Sequence, residues 1–403
     1  MKRSAVLPTM LLLLHACGDD DTTEPDAARD ADVAPDVAPD VAPDAPDTGA
    51  DASTDGTSVF PTLPPGFHAS GIIGFSPLTD ANREGVDAAW NELLESGLRV
   101  GRAQVSWADL EPSPGVYDLT PLREALAPLA EAGLRILLTL ETIDSSSFEI
   151  PDDLLEDELT LAEGRRFDDP MITDRFARVL DEVMPVLVAE GGFAIVVGNE
   201  PDNTISDQPA LAAEVAGFTA AARDHASTLD PTLPVSITLT SGAIEPGAAF
   251  APPIVQASDF LAINYYCQTV DGGIKSAATV RDELDRIAAL ADGREVVFQE
   301  LGCSVGYEVD SQIAGSEAEQ REFLETVITH VKGRPETYRA AYWFTLLDFS
   351  PEVATLLSQP LCDEGFPVLC RQLEEAIATY GLLRWEDGSQ RPAFQTMLDA
   401  IGE

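Results

Sequence analysis

The chain has 403 residues, of which 70 are acidic and 24 are basic, so its formal net charge at pH 7 is −46. This charge argues strongly against a nucleic-acid partner and disfavours polyanionic substrates, because both are attracted to basic surfaces. Only four histidines are present and none lies in a cluster. Zinc-dependent hydrolysis and Ser-His-Asp chemistry are therefore poorly supported.

The first 17 residues are typical of an export signal. Lys2 and Arg3 precede an apolar stretch, Ala5 to Leu14, which is too short to span a bilayer as a helix, and Ala16 and Cys17 follow it. This order resembles the lipobox of bacterial lipoproteins, in which the cysteine is lipidated after cleavage. The resemblance implies that acyl chains on Cys17 anchor an exported protein to a membrane of the cell envelope. An ordinary signal peptide with a chance cysteine is the alternative.

Residues 18–58 are predicted to form a disordered, acidic tether. They include three consecutive Val-Ala-Pro-Asp units from Val33 to Asp44, and Arg29 is their single basic residue. Frequent proline, like charges and few large apolar side chains prevent a packed core and keep such a segment extended. Residues 59–403 are therefore predicted to form the folded domain.

Strand-like and helix-like segments alternate from residue 70 onward. The predicted strands are Ile72–Phe75, Leu98–Val105, Leu134–Leu140, Phe193–Val197, Val235–Leu239, Phe260–Ile263, Glu295–Phe298 and Ala340–Phe344. The predicted helices are Glu84–Ser96, Leu122–Ala132, Asp174–Glu190, Ala210–Thr228, Ala278–Ala291 and Glu317–Lys332. This alternation predicts a parallel (β/α)8 barrel, the TIM-barrel fold. An open doubly wound sheet is the alternative, although no Gly-x-Gly-x-x-Gly follows the first strand.

Two of the predicted strands lead into a glutamate. Glu200 follows the fourth strand and Glu300 follows the seventh. A buried strand that ends on a carboxylate is unusual, because an unpaired buried charge is costly. In a barrel, the carboxyl ends of the strands open on one face, where active sites lie. We therefore predict that the two glutamates face one another across the mouth of the barrel.

These residues resemble the clan of retaining glycoside hydrolases on (β/α)8 barrels that includes families 1, 5, 39 and 42. Asn199-Glu200-Pro201 is similar to the clan's acid/base segment, and Gln299-Glu300 is similar to its nucleophile segment. The resemblance extends over residues 70–401. It implies a catalytic domain at residues 59–403 that cleaves O-glycosidic, β-linked bonds by double displacement, with the two carboxyl groups ~5–5.5 Å apart.

The same resemblance implies roles for further residues. Arg102 would lie near Glu300, and Tyr266 would donate a hydrogen bond to it, so that both lower the pKa of Glu300 and keep it nucleophilic. Desolvation and the ionised partner would raise the pKa of Glu200 and keep it protonated. The residues expected to contact the sugar are Asn199 at the 2-hydroxyl, Asn264 beside Tyr266, and Trp343 and Trp107 as flat apolar faces.

Two acidic residues near the end of the third strand, Glu141 and Asp144, are interpreted as part of a sugar subsite or as structural. No histidine stands at the ends of predicted strands 3 to 6, where several families of the clan keep one for the substrate. The sequence therefore leaves the identity of the glycan open. The implied chemistry requires neither a metal ion nor an organic cofactor.

Four cysteines follow Cys17, and an even number in an exported protein is compatible with two disulfides. Cys267 follows the sixth strand and Cys303 the seventh, so the two would be neighbours on the rim of the barrel. Cys362 and Cys370 would close a small loop after the last strand. We predict these two pairings, with free buried thiols as the alternative.

Taken together, the sequence predicts an exported, lipid-anchored retaining glycoside hydrolase that acts on carbohydrate as a monomer. A non-catalytic barrel that binds carbohydrate at the cell surface is the alternative. A third possibility is another hydrolase or lyase that uses carboxylates of the barrel. The presence of both glutamates favours the glycoside hydrolase.

Overall fold

The computed structural model describes residues 58–72, 76–145, 147–157, 159–205, 208–269, 271–309, 312–363 and 365–402. The predicted export signal with Cys17, and residues 18–57 of the predicted tether, lie outside the described residues. Within the described part of the chain, no helix combines the length and the apolar character that crossing a membrane requires.

Eight parallel strands form a nearly closed barrel. They are β1 (His68–Gly71), β2 (Val100–Ser106), β3 (Arg135–Glu141), β4 (Gly192–Asn199), β5 (Val235–Leu239), β6 (Leu261–Tyr266), β7 (Val296–Gly302) and β8 (Tyr338–Trp343). Around the barrel they lie in the order β1-β8-β7-β6-β5-β4-β3-β2. At the seam between β1 and β2, the Ser70 hydroxyl donates a hydrogen bond to the Val100 carbonyl at 2.9 Å. The predicted (β/α)8 barrel is confirmed.

Helices surround the barrel and extend over its rim. They are α1 (Arg83–Glu95), α2 (Thr120–Glu131), α3 (Pro170–Ala189), α4 (Leu211–Leu229), α5 (Ala251–Ala257), α6 (Ala277–Ala291), α7 (Glu317–Lys332), α8 (Pro351–Asp363), α9 (Pro367–Ile377) and α10 (Pro392–Gly402). Helix α3 shows why these segments are helical. The Asp169 carboxylate caps it by accepting from the Met171 N–H at 2.9 Å, and Pro170 occupies its first position. Phe176 and Leu180, one turn apart, pack towards the barrel.

The first strand begins earlier than the sequence predicts. The prediction is Ile72–Phe75, whereas β1 spans His68–Gly71 and residues 73–75 lie outside the described residues. The Ile72 N–H continues the pairing by donating to the Trp343 carbonyl at 2.9 Å. Three of the four residues of β1 are small, so the strand lacks the apolar run that a sequence pattern detects.

An N-terminal segment closes the lower end of the barrel, where the strands begin. The ring of Phe60 lies between Phe193 and Phe260, with ring centroids 5.7 and 5.0 Å away. The Ser58 hydroxyl donates to the Glu295 carboxylate at 2.9 Å, and the Val59 N–H donates to it at 2.8 Å. The interior is therefore packed at this end.

Local register shifts in β4 and β7 change which side chains point inward. On β7, Phe298 pairs with Ile263 of β6 and Glu300 pairs with the next residue, Asn264, so β7 carries one extra residue at Gln299. Such a bulge interrupts the strict alternation of side chains. Gln299 and Glu300 therefore both contact polar groups of the barrel interior.

A matching irregularity lies at the end of β4. Val196 pairs with Ser236 of β5, whereas Asn199 pairs with Thr238, so three steps on β4 face two steps on β5. Asn199 thereby joins the interior network, although regular alternation from Val196 would turn it outward.

Both predicted disulfides are present. Cys267 bonds to Cys303 just beyond β6 and β7, with 5.0 Å between the two Cα atoms. Cys362 bonds to Cys370 and joins α8 to α9, with a Cα–Cα distance of 5.2 Å. The first disulfide connects the chain directly after Tyr266 to the chain shortly after Glu300, so it restrains both strand ends of the candidate site.

A buried ion pair connects the segment after β8 to the last helix. Asp348 accepts two hydrogen bonds of 2.7 Å from Arg391 and one of 2.8 Å from the Gly381 N–H. The Arg391 guanidinium also donates to the Gly381 carbonyl at 2.7 Å. Removing one member of such a pair leaves the other charge buried and uncompensated.

We expect Asp348→Ala to lower the free energy of unfolding by about 3–5 kcal/mol, because Arg391 would remain buried without its carboxylate. Urea denaturation followed by circular dichroism measures this change. Glu386→Ala, an exposed acidic residue in the same segment, is the control and should change the free energy by less than about 0.5 kcal/mol. Equal effects of the two substitutions would contradict the prediction.

Candidate active site

Glu200 lies directly after β4 and is 1% exposed. Its backbone is in the left-handed region, with φ of 51°, and its N–H donates to the Thr238 carbonyl at 2.8 Å. The Oε1 atom accepts from the Asn264 amide at 2.7 Å. The Oε2 atom accepts from the Ser145 hydroxyl at 3.1 Å and the Asn203 amide at 3.2 Å. Neutral donors therefore hold this carboxyl group.

Glu300 lies in β7, is 2% exposed and contacts a cation. The Tyr266 hydroxyl donates to its Oε2 atom. The Nη1 atom of Arg102 lies 3.3 Å from its Oε1 atom. Arg102 is held in place by its other nitrogens, because Nε donates to the Thr139 hydroxyl at 3.0 Å and Nη2 donates to the side-chain oxygen Oε1 of Gln104 at 2.8 Å. The predicted positions of Arg102 and Tyr266 beside Glu300 are thus observed.

A side-chain network joins the strands that carry the two glutamates. The Gln299 amide donates to the Asn199 carbonyl oxygen at 2.8 Å, so the residues directly before Glu300 and Glu200 are hydrogen-bonded to each other. The Asn264 amide donates to the same Asn199 oxygen at 3.1 Å as well as to Glu200. The structure therefore brings Asn199, Asn264, Glu200 and Glu300 into one site.

The two carboxyl groups differ in their surroundings. Burial raises the pKa of Glu200 well above its ordinary value, and the charge of Glu300 raises it further. Burial also raises the pKa of Glu300, while Arg102 and the Tyr266 hydroxyl lower it. The predicted lowering by Arg102 and Tyr266 is thus present, but burial, which the prediction left out, raises the pKa by more. The predicted difference remains, since only Glu300 has a cation and a phenol hydroxyl beside it.

Trp343 does not line the site. Its side chain is fully buried, its indole N–H donates to the Tyr380 carbonyl at 2.9 Å, and its ring packs against Phe323 of α7. It pairs in register with Leu301, which also packs in the layer between the barrel and the helices. The prediction that Trp343 contacts the sugar is wrong, because the alternation of β8 turns this residue outward.

The next residue, Phe344, lies on the inner side instead. Its ring meets Tyr266 edge-on with ring centroids 6.1 Å apart, and it also lies 6.1 Å from the ring of Tyr380. It is therefore the aromatic residue of this strand end that lies beside the partner of Glu300. The sequence offered a signal, because Phe344 directly follows Trp343, but an error of one residue in register reverses the face.

Trp107 is also absent from the mouth of the barrel. It is fully buried, its indole N–H donates to the Glu111 carboxylate at 2.8 Å, and its ring packs on Phe176 with centroids 5.2 Å apart. Glu111 in turn pairs with Arg175 of α3 at 2.9 Å. Trp107 holds the loop after β2 against α3, and the prediction of a sugar contact is wrong.

Several residues of the site have no distinct sequence signal. Ser145 donates to Glu200 from a turn, and Asn203 donates to it from the short helix Asp202–Ile205. Thr238 and Thr139 donate to Gln299 from β5 and β3. Serine, threonine and asparagine are common in loops, so their types alone do not mark them. Among the described residues, no group of three or more His, Cys, Asp or Glu side chains is arranged to hold a metal ion.

Comparison with known proteins gives one family match. The sequence profile of glycoside hydrolase family 42, described as β-galactosidase, matches residues 80–144. This segment runs from just before α1 to just after β3 and includes Arg102. No curated protein matches the chain at a significant level.

Solved structures share the fold over most of the chain. An exo-β-1,4-mannosidase from an Opitutaceae bacterium is 18% identical with a TM-score of 0.57, and the match covers 83% of this chain and 59% of the mannosidase. A family 5 subfamily 18 variant from Bifidobacterium longum, in complex with Manβ1-4GlcNAc, is 18% identical with a TM-score of 0.56 and coverages of 83% and 78%. A family 39 glycoside hydrolase from Bacteroides cellulosilyticus is 13% identical with a TM-score of 0.53 and coverages of 84% and 64%.

The matched segment is thus similar to glycoside hydrolase family 42, and the barrel fold is shared with solved structures of glycoside hydrolases. The chain spans 59% of the length of the Opitutaceae mannosidase. At these identities the solved structures show the shared barrel, while the family profile supplies the link in sequence.

Asp202, two residues after Glu200, makes the stability of this region depend on pH. It is 1% exposed and accepts from the Thr240 hydroxyl at 2.6 Å, and burial raises its pKa from 3.8 to about 6. A carboxyl group whose pKa rises on folding stabilises the protein fully at low pH, and this contribution is lost as the pH rises through the folded-state pKa.

We therefore expect Asp202→Asn, which cannot ionise, to gain stability relative to the unchanged protein as the pH rises from about 4 to about 6, by up to about 1.4 kcal/mol per pH unit. Urea denaturation at a series of pH values measures this difference. Asp80→Asn, at an exposed position, is the control and should run parallel to the unchanged protein. If the free energy of unfolding of Asp202→Asn depends on pH in the same way as that of the unchanged protein, the raised pKa of Asp202 is excluded.

Proposed function

We propose that this protein is a retaining glycoside hydrolase for β-linked glycans, with Glu300 as nucleophile and Glu200 as general acid and base. The observation that carries the proposal is the pair of buried glutamates in unlike surroundings, joined through the hydrogen bond between Asn199 and Gln299. A retaining mechanism needs one protonated and one ionised carboxyl group. Arg102 and Tyr266 favour the ionised form of Glu300, whereas neutral donors surround Glu200.

In the first step, the Glu300 carboxylate attacks the anomeric carbon and forms an ester bond to the sugar. The bond from that carbon to the leaving oxygen breaks, and Glu200 donates its proton to this oxygen. The charge on Glu300 is consumed as the covalent intermediate forms. Arg102 and the Tyr266 hydroxyl keep Glu300 ionised before the attack and stabilise it again as a leaving group in the second step.

In the second step, Glu200 accepts a proton from water, whose oxygen attacks the anomeric carbon and displaces Glu300. The pKa of Glu200 falls once Glu300 is esterified, because the neighbouring negative charge is gone, and Glu200 can then act as a base. The hydrogen bonds from Asn264 and Ser145 fix the direction of the Glu200 carboxyl group during both steps.

Asn199 is proposed to contact the sugar 2-hydroxyl. Its carbonyl oxygen accepts from Gln299 and Asn264, and one hydrogen of its amide nitrogen is directed to Asp144 at 2.9 Å. An amide nitrogen carries two hydrogens, so the second can donate to a sugar hydroxyl. The surrounding hydrogen bonds would hold that donor in position before the substrate arrives.

We also propose that the chain is exported, anchored by lipid at Cys17 and active as a monomer. The support is the order of charge, apolar residues and cysteine in residues 1–17, and the acidic, proline-rich composition of residues 18–58. The tether would hold the barrel away from the membrane, where it could meet a carbohydrate substrate.

The nucleophile is tested by Glu300→Ala with an aryl β-glycoside as substrate. We expect kcat to fall about 10⁴-fold and sodium azide to restore turnover, because azide can occupy the space of the missing carboxylate. The product should be the glycosyl azide of inverted configuration. Glu200→Ala should instead yield the azide of retained configuration, because azide then attacks the glycosyl-enzyme. Glu124→Ala, an exposed residue of α2, is the control.

If the unchanged protein and the Glu124→Ala control bind glycans but do not turn over aryl glycosides, the non-catalytic alternative replaces the proposal. If turnover survives in Glu300→Ala without azide, Glu300 is not the nucleophile.

The Tyr266 hydroxyl is tested by Tyr266→Phe. Losing this hydrogen bond destabilises the ionised form of Glu300, so the pKa of Glu300 rises and the acidic limb of the kcat/KM profile moves to higher pH. A hydrogen bond to a charged group corresponds to about a tenfold to hundredfold loss of kcat/KM. Tyr265→Phe removes the same group from the adjacent residue, whose hydroxyl contacts Glu283 instead, and should leave the limb in place. Identical profiles for the two variants would contradict the assignment.

A further inference from the structure

A carboxyl group at the end of β3 has no role in the steps above. Glu141 is 4% exposed, and its Oε1 atom is buried without a hydrogen-bond partner among the described residues. Leu137 and Thr139 of the same strand contact the barrel interior, and regular alternation turns Glu141 the same way. The group therefore points into the mouth of the barrel, where an unpaired buried polar atom is costly.

The charges around Glu141 are mostly of its own sign. Burial raises its pKa well above the ordinary value, the carboxylates of Asp144, Glu149 and Glu300 raise it further, and Arg102 lowers it. Arg102 is already engaged by Glu300, Thr139 and Gln104. Among the described residues, the cation that acts on Glu141 is Arg102, which is shared with Glu300. A positively charged hydrogen-bond donor would therefore satisfy both the unpaired oxygen and the excess of negative charge.

The acidic character continues into a neighbouring cavity. This cavity, of about 510 Å³, lies between the loops after β2 and β3, and its lining includes the acidic residues Asp109, Glu111, Glu149, Asp152 and Asp153. Arg175 pairs with Glu111 and Asp153. Glu149 lines the cavity and also raises the pKa of Glu141, so the cavity lies near the end of β3. The volume is in the range of small-molecule binding sites.

Three kinds of donor could meet Glu141. The described residues contain no group of three carboxylate, histidine or cysteine side chains arranged for a metal ion, so the geometry does not favour a cation held by several ligands. A neutral sugar hydroxyl would supply a hydrogen bond but would leave the like charges uncompensated. A protonated amine supplies three N–H donors and a positive charge at one atom.

We propose that Glu141 binds the free amino group of an amino sugar, and that this protein selects β-linked glycans whose residues carry unacetylated amines. This inference rests on the proposed function only in taking the mouth of the barrel as a glycan site. The acidic cavity beside Glu141 would accommodate further amino-sugar residues of the same chain. Nucleic acids and acidic glycans would be repelled by the same surface.

Binding tests this proposal independently of turnover. The protein is the full chain carrying Glu200→Gln, because glutamine is neutral like the protonated Glu200 and slows cleavage of the ligand. Calorimetry compares β-1,4-linked tetramers of glucosamine, N-acetylglucosamine and glucose, which differ only at C2. We expect the glucosamine tetramer to bind about tenfold tighter or more than the other two, as a charge-assisted hydrogen bond requires.

Adding Glu141→Gln should reduce this preference about tenfold, while adding Glu156→Gln should leave it nearly unchanged. Glu156 is exposed in the same loop region, so the control removes the same formal charge without touching the site. Tetralysine controls for general attraction to an acidic protein. Equal affinities for the three tetramers would overturn the proposal. It would also be overturned if the glucosamine tetramer and tetralysine both bind tightly and Glu141→Gln weakens neither.

Aryl β-glycoside turnover by the unchanged protein separates the two conclusions. Turnover without a Glu141-dependent preference for amines would refute the inference and retain the proposed hydrolase. A Glu141-dependent preference without any turnover would retain the amine site and refute the hydrolase.

Discussion

The hydrogen bond between the side chains of Gln299 and Asn199 is the contact on which the candidate site depends. It crosses the barrel interior and fixes, one residue away on each strand, the positions of Glu300 and Glu200. Both amides can reach it only because β7 and β4 depart from regular register just before it. In a buried and dry interior such a network is strong when complete and costly when broken. The barrel strands therefore fix the positions of both glutamates, and Ser145 and Asn203 beyond the strand ends add hydrogen bonds to Glu200.

The second constraint is the excess of carboxyl groups over cations at the mouth. Burial raises the pKa of four carboxyl groups there, those of Glu141, Asp144, Glu200 and Glu300. Arg102 lowers the pKa of all of them except Glu200. The carboxyl groups of such a site stay protonated to higher pH than free ones, because burial favours the neutral form of each acid. Ionising them in the folded state lowers the stability of the protein. Proton storage suits acid and base catalysis, and it also makes a cationic ligand favourable where a carboxyl oxygen lacks a partner.

The sequence predicts structure well where a pattern repeats and poorly where the position of one residue decides. The alternation of strands and helices predicted the barrel, and the glutamates at two strand ends predicted where the site lies. Trp343 and Trp107 were assigned to the sugar from residue type and approximate position, yet both are buried against helices. A strand reverses the face of its side chains at every residue, so Phe344 rather than Trp343 lies beside Tyr266.

The sequence by itself determined the fold class, the strand ends that carry the two glutamates and the order of the paired cysteines, because each depends on local pattern and spacing along the chain. Only the tertiary structure decided which side chains share the interior, that burial outweighs Arg102 and Tyr266 in setting the pKa of Glu300, and that an oxygen of Glu141 is left without a partner. Desolvation and pairing depend on what the rest of the chain places around a group, and no spacing in the sequence records that.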